Sequence, residues 1–194
     1  MRCKEGCAAC CKDSILRFFR DEFVELKALV PGMNIVPSYE DELNVIFTTC
    51  PFLSGSKCAI YEHRPDFCRA FPVFNLHGSK KPMMSTSCPN FDTVTLKDVA
   101  EARKCLARYY GRVVRSRARF LLKHSATEFQ KLNGKLIQMV EKVDGSGFDY
   151  CIQFDVDEYV EKLKDPIVFK GWVLQKRADA GKLNDSRTQS VNGS

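Results

Sequence analysis

Apolar residues are distributed along this chain in two regimes. Up to about residue 90 they come in short runs, broken by Pro, Gly, Ser and Cys. Beyond residue 95 they recur at helical spacing over long stretches. In the first regime, Ser14–Phe19 predicts a short strand. Asp21–Val30 predicts a helix, with Asp21 as its cap and Phe23, Leu26, Ala28 and Val30 as an imperfect apolar face, ended by Pro31-Gly32. Leu43, Val45 and Phe47 alternate with Asn44, Ile46 and Thr48, the period-two pattern of a strand over Leu43–Thr48 that delivers the chain to Cys50. From Pro51 to Pro89 little regular structure is expected.

The second regime opens at Thr95 and Asp98, which have capping-box spacing. Leu106, Tyr109, Tyr110, Val113, Val114, Phe120 and Leu121 supply the apolar side of a long helix. Arg103, Lys104, Arg108, Arg112, Arg115, Arg117, Arg119 and Lys123 supply its basic side. Ser125 with Glu128 starts a second helix, whose apolar face is Phe129, Leu132, Leu136, Ile137 and Val140, interrupted by Gly134. Asp144 to Gly147 forms a break. Asp155 with Glu158 opens a third, short helix that ends before Asp165-Pro166. Beyond about Asp179 the residues are small and polar, and disorder is expected there. These elements imply an α+β fold class: an irregular, metal-nucleated, cysteine-rich module over 1–92, a helical region over 93–175 packed on it, and a polar tail over 176–194.

Composition is that of an ordinary globular chain, with 44% hydrophobic and 28% charged residues among 194. A core of useful size is within reach, so disulfides are not required for folding. No apolar run approaches the roughly 20 residues of a membrane helix. A cysteine motif begins at residue 3 in place of a signal-peptide core. The expectation is a cytoplasmic protein with reduced thiols and no membrane contact.

Cysteine usage changes the picture most. Ten are present, and eight lie in the first 88 residues: Cys3, Cys7, Cys10, Cys11, Cys50, Cys58, Cys68 and Cys88. Such clustering in a reducing compartment points to metal ligation by thiolates. Four thiolates suit zinc at tetrahedral geometry, and four suit an iron–sulfur cubane. On an extended backbone the adjacent Cys10 and Cys11 point apart, which favours two sites or a polynuclear centre over one ion. Iron–sulfur is preferred to zinc, because the second group of cysteines is spread over wide intervals instead of in paired knuckles. Cys105 and Cys151, each isolated, are expected to pack as small hydrophobes. Thiolates also temper the charge. Eight of them around two dications lower the formal +6 to about +2, so the basic balance is weak evidence for nucleic acid.

Arg64 and Arg69 flank Cys68 and can donate N–H groups to thiolates from outside the ligand shell. Tyr61, Phe52, Phe71 and Phe74 can shield a site from water. His63, His77 and His124 lack a partner at ligand spacing. Cys3-x3-Cys7-x2-Cys10 has the spacing by which radical S-adenosylmethionine enzymes hold a cubane, but only two residues precede it and the βα repeats are missing. No Gly-rich phosphate loop, nucleophile elbow or HExxH motif occurs, so no catalytic residue can be named.

Together the motifs resemble the cysteine-cluster family known as YkgJ or CxxCxxCC. The residues that carry the resemblance are Cys7-Ala-Ala-Cys10-Cys11, Cys50-Pro-Phe-Leu53, Cys58-Ala-Ile-Tyr61, Arg64-Pro65 and Cys68-Arg-Ala-Phe-Pro72. The pattern departs at Cys3, which three residues separate from Cys7 where two are usual. The resemblance spans about residues 3–90 and implies zinc or iron chelation. A related cluster in flagellin lysine N-methylase implies, as an alternative, an S-adenosylmethionine-dependent protein lysine methyltransferase-like enzyme. The expected function is thus a metal-binding, redox or metal-relay protein with a protein or redox partner. A structural zinc module presenting the basic helix to a partner is a third reading.

Overall fold

A computed structural model describes residues 7, 9–22, 35–37, 39, 41–75, 81–132 and 153–191. It has the α+β character expected, with small antiparallel sheets and a helical C-terminal part. The expected helix over Asp21–Val30 is described only at its start, where residues 20–22 are helical. Its remainder lies outside the described residues, as do Gly134, Leu136, Ile137, Val140 and the break at 144–147.

The first sheet has the order β1-β3-β2, with β1 over Lys12–Phe19, β2 over Ile35–Pro37 and β3 over Glu42–Thr49. β1 and β3 run antiparallel, with Lys12 opposite Thr49 and Phe19 opposite Glu42. Period two then divides β1. Leu16 and Phe18 point into one small core with Phe52 and Ile60, while Phe19 joins Tyr109 and Val113 on the other side. β1 is therefore covered on both faces.

Between Pro51 and Pro89 the elements are short, as expected: the two-residue strands β4 (Leu53–Ser54) and β5 (Lys57–Cys58), a 3-10 turn at Tyr61–His63, and the single-turn helix α1 (Asp66–Ala70). β6 (Val73–Asn75) and β7 (Pro82–Ser85) come next and pair, and β8 (Gln153–Asp155) adds to the far side of β7. This region is not poor in core. Ala70, Val73 and Met84 are almost fully buried, and they pack with residues of the helical part. Metal is thus not its only source of order.

The 28-residue helix α2 (Leu96–Lys123) begins at a complete capping box. Thr95 Oγ1 accepts the Asp98 N–H at 3.2 Å, and Asp98 accepts the Thr95 N–H at 3.0 Å. Its buried face is Val99, Ala102, Cys105, Leu106, Tyr109, Val113 and Ser116, whereas Val114 and Leu121 are exposed. Hydrophobicity alone misplaces those two, because helical rotation carries them past the contact stripe. The second capping box is also present, Ser125 Oγ receiving the Glu128 N–H at 3.2 Å. Residues 126–132 are helical after it.

α3 (Val156–Lys162) starts where expected, but Glu158 does not complete its cap. Asp155 alone accepts the Asp157 N–H, and Glu158 accepts the Trp172 indole N–H at 2.8 Å. Asp165-Pro166 ends α3 and also starts α4 (Pro166–Val191). Asp165 caps the N–H groups of Ile167 and Val168, and Pro166 takes the first helical position, where an N–H is not needed. The polar stretch from 176, whose composition suggests disorder, is helical as far as Val191.

α1, β6, β7, α2, α3 and α4 share the main core. Tyr159 lies at its centre, its hydroxyl 2.8 Å from both the Phe91 and Val94 carbonyl oxygens. Tyr159→Phe is expected to lower stability by about 1–2 kcal/mol, since it leaves buried acceptors without their donor. Urea unfolding of the two proteins checks this.

Candidate functional site

The β1–β3 ladder decides which cysteines meet. Cys11 immediately precedes β1 and Cys50 immediately follows β3. The register that sets Lys12 opposite Thr49 therefore sets Cys11 beside Cys50, and the Cys50 N–H donates to the Cys11 carbonyl at 2.7 Å. Three residues on, Leu53 pairs with Cys58 across the β4–β5 hairpin, closed by Gly55 at φ +59°, a conformation glycine adopts without strain. The Ala59 N–H, bonded to the Phe52 carbonyl at 2.8 Å, ties the hairpin down. Cys68 arrives on α1. Cys11, Cys50, Cys58 and Cys68 all pack against the small core of Leu16, Phe18, Phe52 and Ile60.

Cys10 joins them. The segment Ala9–Cys11 is a 3-10 turn, so these neighbours do not point apart as they would on an extended chain. The Cys10 and Cys50 thiols both donate to the Cys11 sulfur. Those bonds, with the Arg64 guanidinium nearby, hold Cys11 at a pKa of about 3, far below the usual thiol range. Cys50 is driven the opposite way by the same hydrogen bond and by burial. Part of the Cys68 residue reaches solvent, but its thiol is enclosed. Burial pushes it up to about 12, and the neighbouring Cys11, Cys58 and Glu22 act in the same direction against Arg64.

Arg64 is set for this role by its own contacts. Its Nε donates to the Tyr61 carbonyl at 2.9 Å, and its guanidinium lies 3.8 Å from the Tyr61 ring centroid. Arg69, also expected beside the thiols, is exposed, and its backbone N–H donates to the Pro65 carbonyl at 3.0 Å.

The other cysteines stand differently. Cys7 is partly buried, and Cys3 and Cys151 lie outside the described residues. Cys88 is buried in the main core with Phe91 and Tyr159, apart from the small core around Leu16. Cys105 is wholly buried in the main core, its sulfur 3.2 Å from Arg108, and burial raises its pKa. Of the expected aromatic shield, Phe52 alone is in the thiol core. Phe71 packs on the main core, and Tyr61 lies under Arg64. His63 is exposed, His124 stacks on Phe120 at 4.1 Å, and His77 is outside the described residues.

Sequence reasoning missed Leu16, Phe18 and Ile60 as walls of the site. The signal was available for the first two, whose spacing of two residues puts them on one face of a strand that starts just after Cys11. It also missed Glu22. Its carboxylate accepts the Phe19 N–H at 2.8 Å, is pushed up by burial, and stands close enough to influence Cys68.

Among the described residues, no group of three or more Cys, His, Asp or Glu side chains is set at the geometry of a metal's ligand shell. The donor set itself fits a thiophilic cation. Five sulfurs from four segments converge, hydrogen bonds from two of them favour the thiolate form of Cys11, and a guanidinium is adjacent. The protons shared at Cys11 are those a cation would displace.

Residues 2–97 match the model of the CxxCxxCC family, described as a putative zinc- or iron-chelating domain. Through those residues the chain belongs to the CxxCxxCC family. The matched segment holds all five converging cysteines and stops as α2 begins. No curated protein and no solved structure matched the chain. Among the described residues, no helix of this CxxCxxCC protein is long and apolar enough to cross a membrane.

The Cys11 arrangement has a pH signature. A depressed thiol pKa means that the thiolate persists in the folded metal-stripped protein well below the ordinary thiol range, and that it is lost as the pH falls toward about 3. Thiolate ultraviolet absorption should therefore remain at mildly acidic pH and vanish in Cys11→Ser. Absorption that appears only at alkaline pH would contradict the hydrogen-bonded thiolate.

Proposed function

We propose that this protein binds iron as an iron–sulfur cluster through Cys10, Cys11, Cys50, Cys58 and Cys68, and works as a redox or metal-relay protein. The observation that carries the reading is the convergence of five thiols, four of them (Cys11, Cys50, Cys58 and Cys68) on one apolar wall and the exposed Cys10 bonded to Cys11. A single tetrahedral zinc ion takes four ligands, one fewer than the sulfurs that converge here. A cluster body offers several metal positions and accepts such a pair. Cys3 and Cys7 stay in the proposed ligand set because they precede Cys10 in the same motif, whereas Cys88, packed in the main core apart from the five, leaves it.

The chain's own residues supply the surroundings of the bound group. Arg64 offsets thiolate charge. Leu16, Phe18, Phe52 and Ile60 exclude water from one side, which bears on any reduction potential. A cluster, when bound, supplies one-electron chemistry.

Anaerobic purification with metal and sulfide analysis tests the reading. The expected result is brown protein whose acid-labile sulfide matches its iron, with metal content lost in the Cys58→Ser, Cys68→Ser double variant and retained in Cys105→Ser. Colourless protein with stoichiometric zinc, and neither iron nor sulfide after reconstitution, would replace the cluster by zinc. Normal metal content in the double variant would remove the site altogether.

A further inference from the structure

The arginines of α2 mostly have work inside the molecule. Arg103 pairs with Asp157, Arg108 makes a two-pronged contact with Asp66 at 2.7 and 2.9 Å, and Arg117 lies 3.5 Å from Glu42. Two guanidiniums break the pattern. Arg20 and Arg115 are exposed, and among the described residues no carboxylate pairs with either.

Both face the same recess. A pocket of about 500 Å³ opens between the helical turn at 20–22, the turn at Asp41 and the C-terminal half of α2. Its polar lining is Arg20, Asp21, Asp41, Arg112, Arg115 and Arg119. Arg112, Arg115 and Arg119 are spaced at intervals of three and four, so they share one face of α2. The frame is fixed. Arg112 pairs with Asp21, lies 3.8 Å from Glu22, and stacks 4.0 Å from the Phe19 ring centroid. Arg119 binds Asp41 at 2.9 Å. The Asp41 backbone is held by the Arg20 N–H at 2.9 Å and by Ser116 Oγ at 3.3 Å.

The charges do not cancel. Among the described residues that line it, four guanidiniums meet two carboxylates, both paired with Arg112 and Arg119, so Arg20 and Arg115 carry positive charge that no lining carboxylate offsets. A phosphate monoester bears roughly −1.5 to −2 at neutral pH, and guanidinium forks match phosphate oxygens in pairs. A bare phosphate is far smaller than the pocket. The volume falls in the range of small-molecule sites, about 300–1,000 Å³, and Phe19 supplies an apolar part of the wall. A nucleic-acid track fits less well, because Asp21 and Asp41 would repel a continuous polyanion.

We infer that this pocket binds a small organic phosphate, held at its phosphate by Arg20 and Arg115 and walled by the ion-paired Arg112 and Arg119. The site lies outside the thiol cluster and does not depend on what that cluster holds.

The test is calorimetry on the full, metal-loaded chain at fixed ionic strength, with 5′-AMP, ribose 5-phosphate and ribose as probes. The expected result is saturable one-to-one binding of at least one phosphate and none of ribose. The Arg20→Gln, Arg115→Gln double variant should bind about tenfold or more weakly, the equivalent of about 1.4 kcal/mol. The exposed Lys104→Gln variant should bind as the parent does. Both arginines are exposed and make no ion pair among the described residues, so an unchanged melting temperature is expected to confirm that the variant folds. Absence of saturable binding, binding of ribose as strong as that of the phosphates, or equal weakening in Lys104→Gln would overturn the proposal. So would a single-stranded oligonucleotide that binds more tightly than either phosphate and depends on the same two arginines. Metal content is read in parallel, so failure of either site is seen separately.

Discussion

The antiparallel register of β1 and β3 is the constraint on which the N-terminal half depends. A slip of one residue would turn Leu16 and Phe18 from the small core toward α2, and would carry Cys11 away from Cys50. The register is held from both sides. Burial of Leu16 and Phe18 fixes one face of β1, and Phe19 against Tyr109, with ring centroids 5.7 Å apart, fixes the other. The backbone bond from Cys50 to Cys11 closes the ladder at the point where the sulfurs are needed. Strand pairing thus does for the first and second cysteine groups what loop chemistry alone could not. It joins Cys11 and Cys50, far apart in sequence, at a defined place.

The long helix is fitted to that arrangement from outside. α2 buries Tyr109 and Val113 on the back of β1, and its arginines reach carboxylates on the elements around it: Asp66 on α1, Asp21 and Glu22 after β1, Asp41 and Glu42 at the start of β3. Exposed ion pairs contribute little each, roughly 0–1 kcal/mol. Their value here is positional. Apolar contact sets how strongly α2 adheres, and the spacing of guanidiniums against fixed carboxylates sets where along its axis it sits. The Arg108–Asp66 fork bears directly on the site, because Asp66 begins the single-turn helix that carries Cys68.

Legibility tracked periodicity. β1, β3 and α2 were readable because each repeats its pattern for several residues, and the caps at Thr95 and Ser125 because a hydroxyl and a carboxylate three apart satisfy each other wherever they fall. Asp165-Pro166 was half readable. Proline plainly stops α3, yet the same pair starts α4, and a dipeptide with two local meanings is resolved only by the packing of Phe169, Trp172 and Val173 on the main core. At the site, clustering identified the cysteines but not their partition. Cys88 has the same local look as Cys58, and only tertiary packing separates the main core from the small one. Cys10 and Cys11 were misjudged for a local reason: the expectation assumed an extended backbone, and the 3-10 turn brings both sulfurs to one place. The acidic partners of the arginines were invisible because they lie dozens of residues away, at distances no helical pattern encodes.

The two cores also differ in what holds them together. The main core is built of ordinary aliphatic and aromatic groups around Tyr159, and is stable by burial. The small core is not. Cys11, Cys50, Cys58 and Cys68 make up four of the nine described residues packed there, and each is a group that titrates. Protonated, they pack as small hydrophobes and leave the enclosure nearly neutral. Removing those protons with nothing to replace them would gather negative charge against Leu16, Phe18, Phe52 and Ile60, a costly arrangement in a weakly polar setting. A dication replaces protons without that cost. The small core is therefore the part of the fold whose packing depends on the charge its sulfurs carry, whereas the main core rests on ordinary apolar burial.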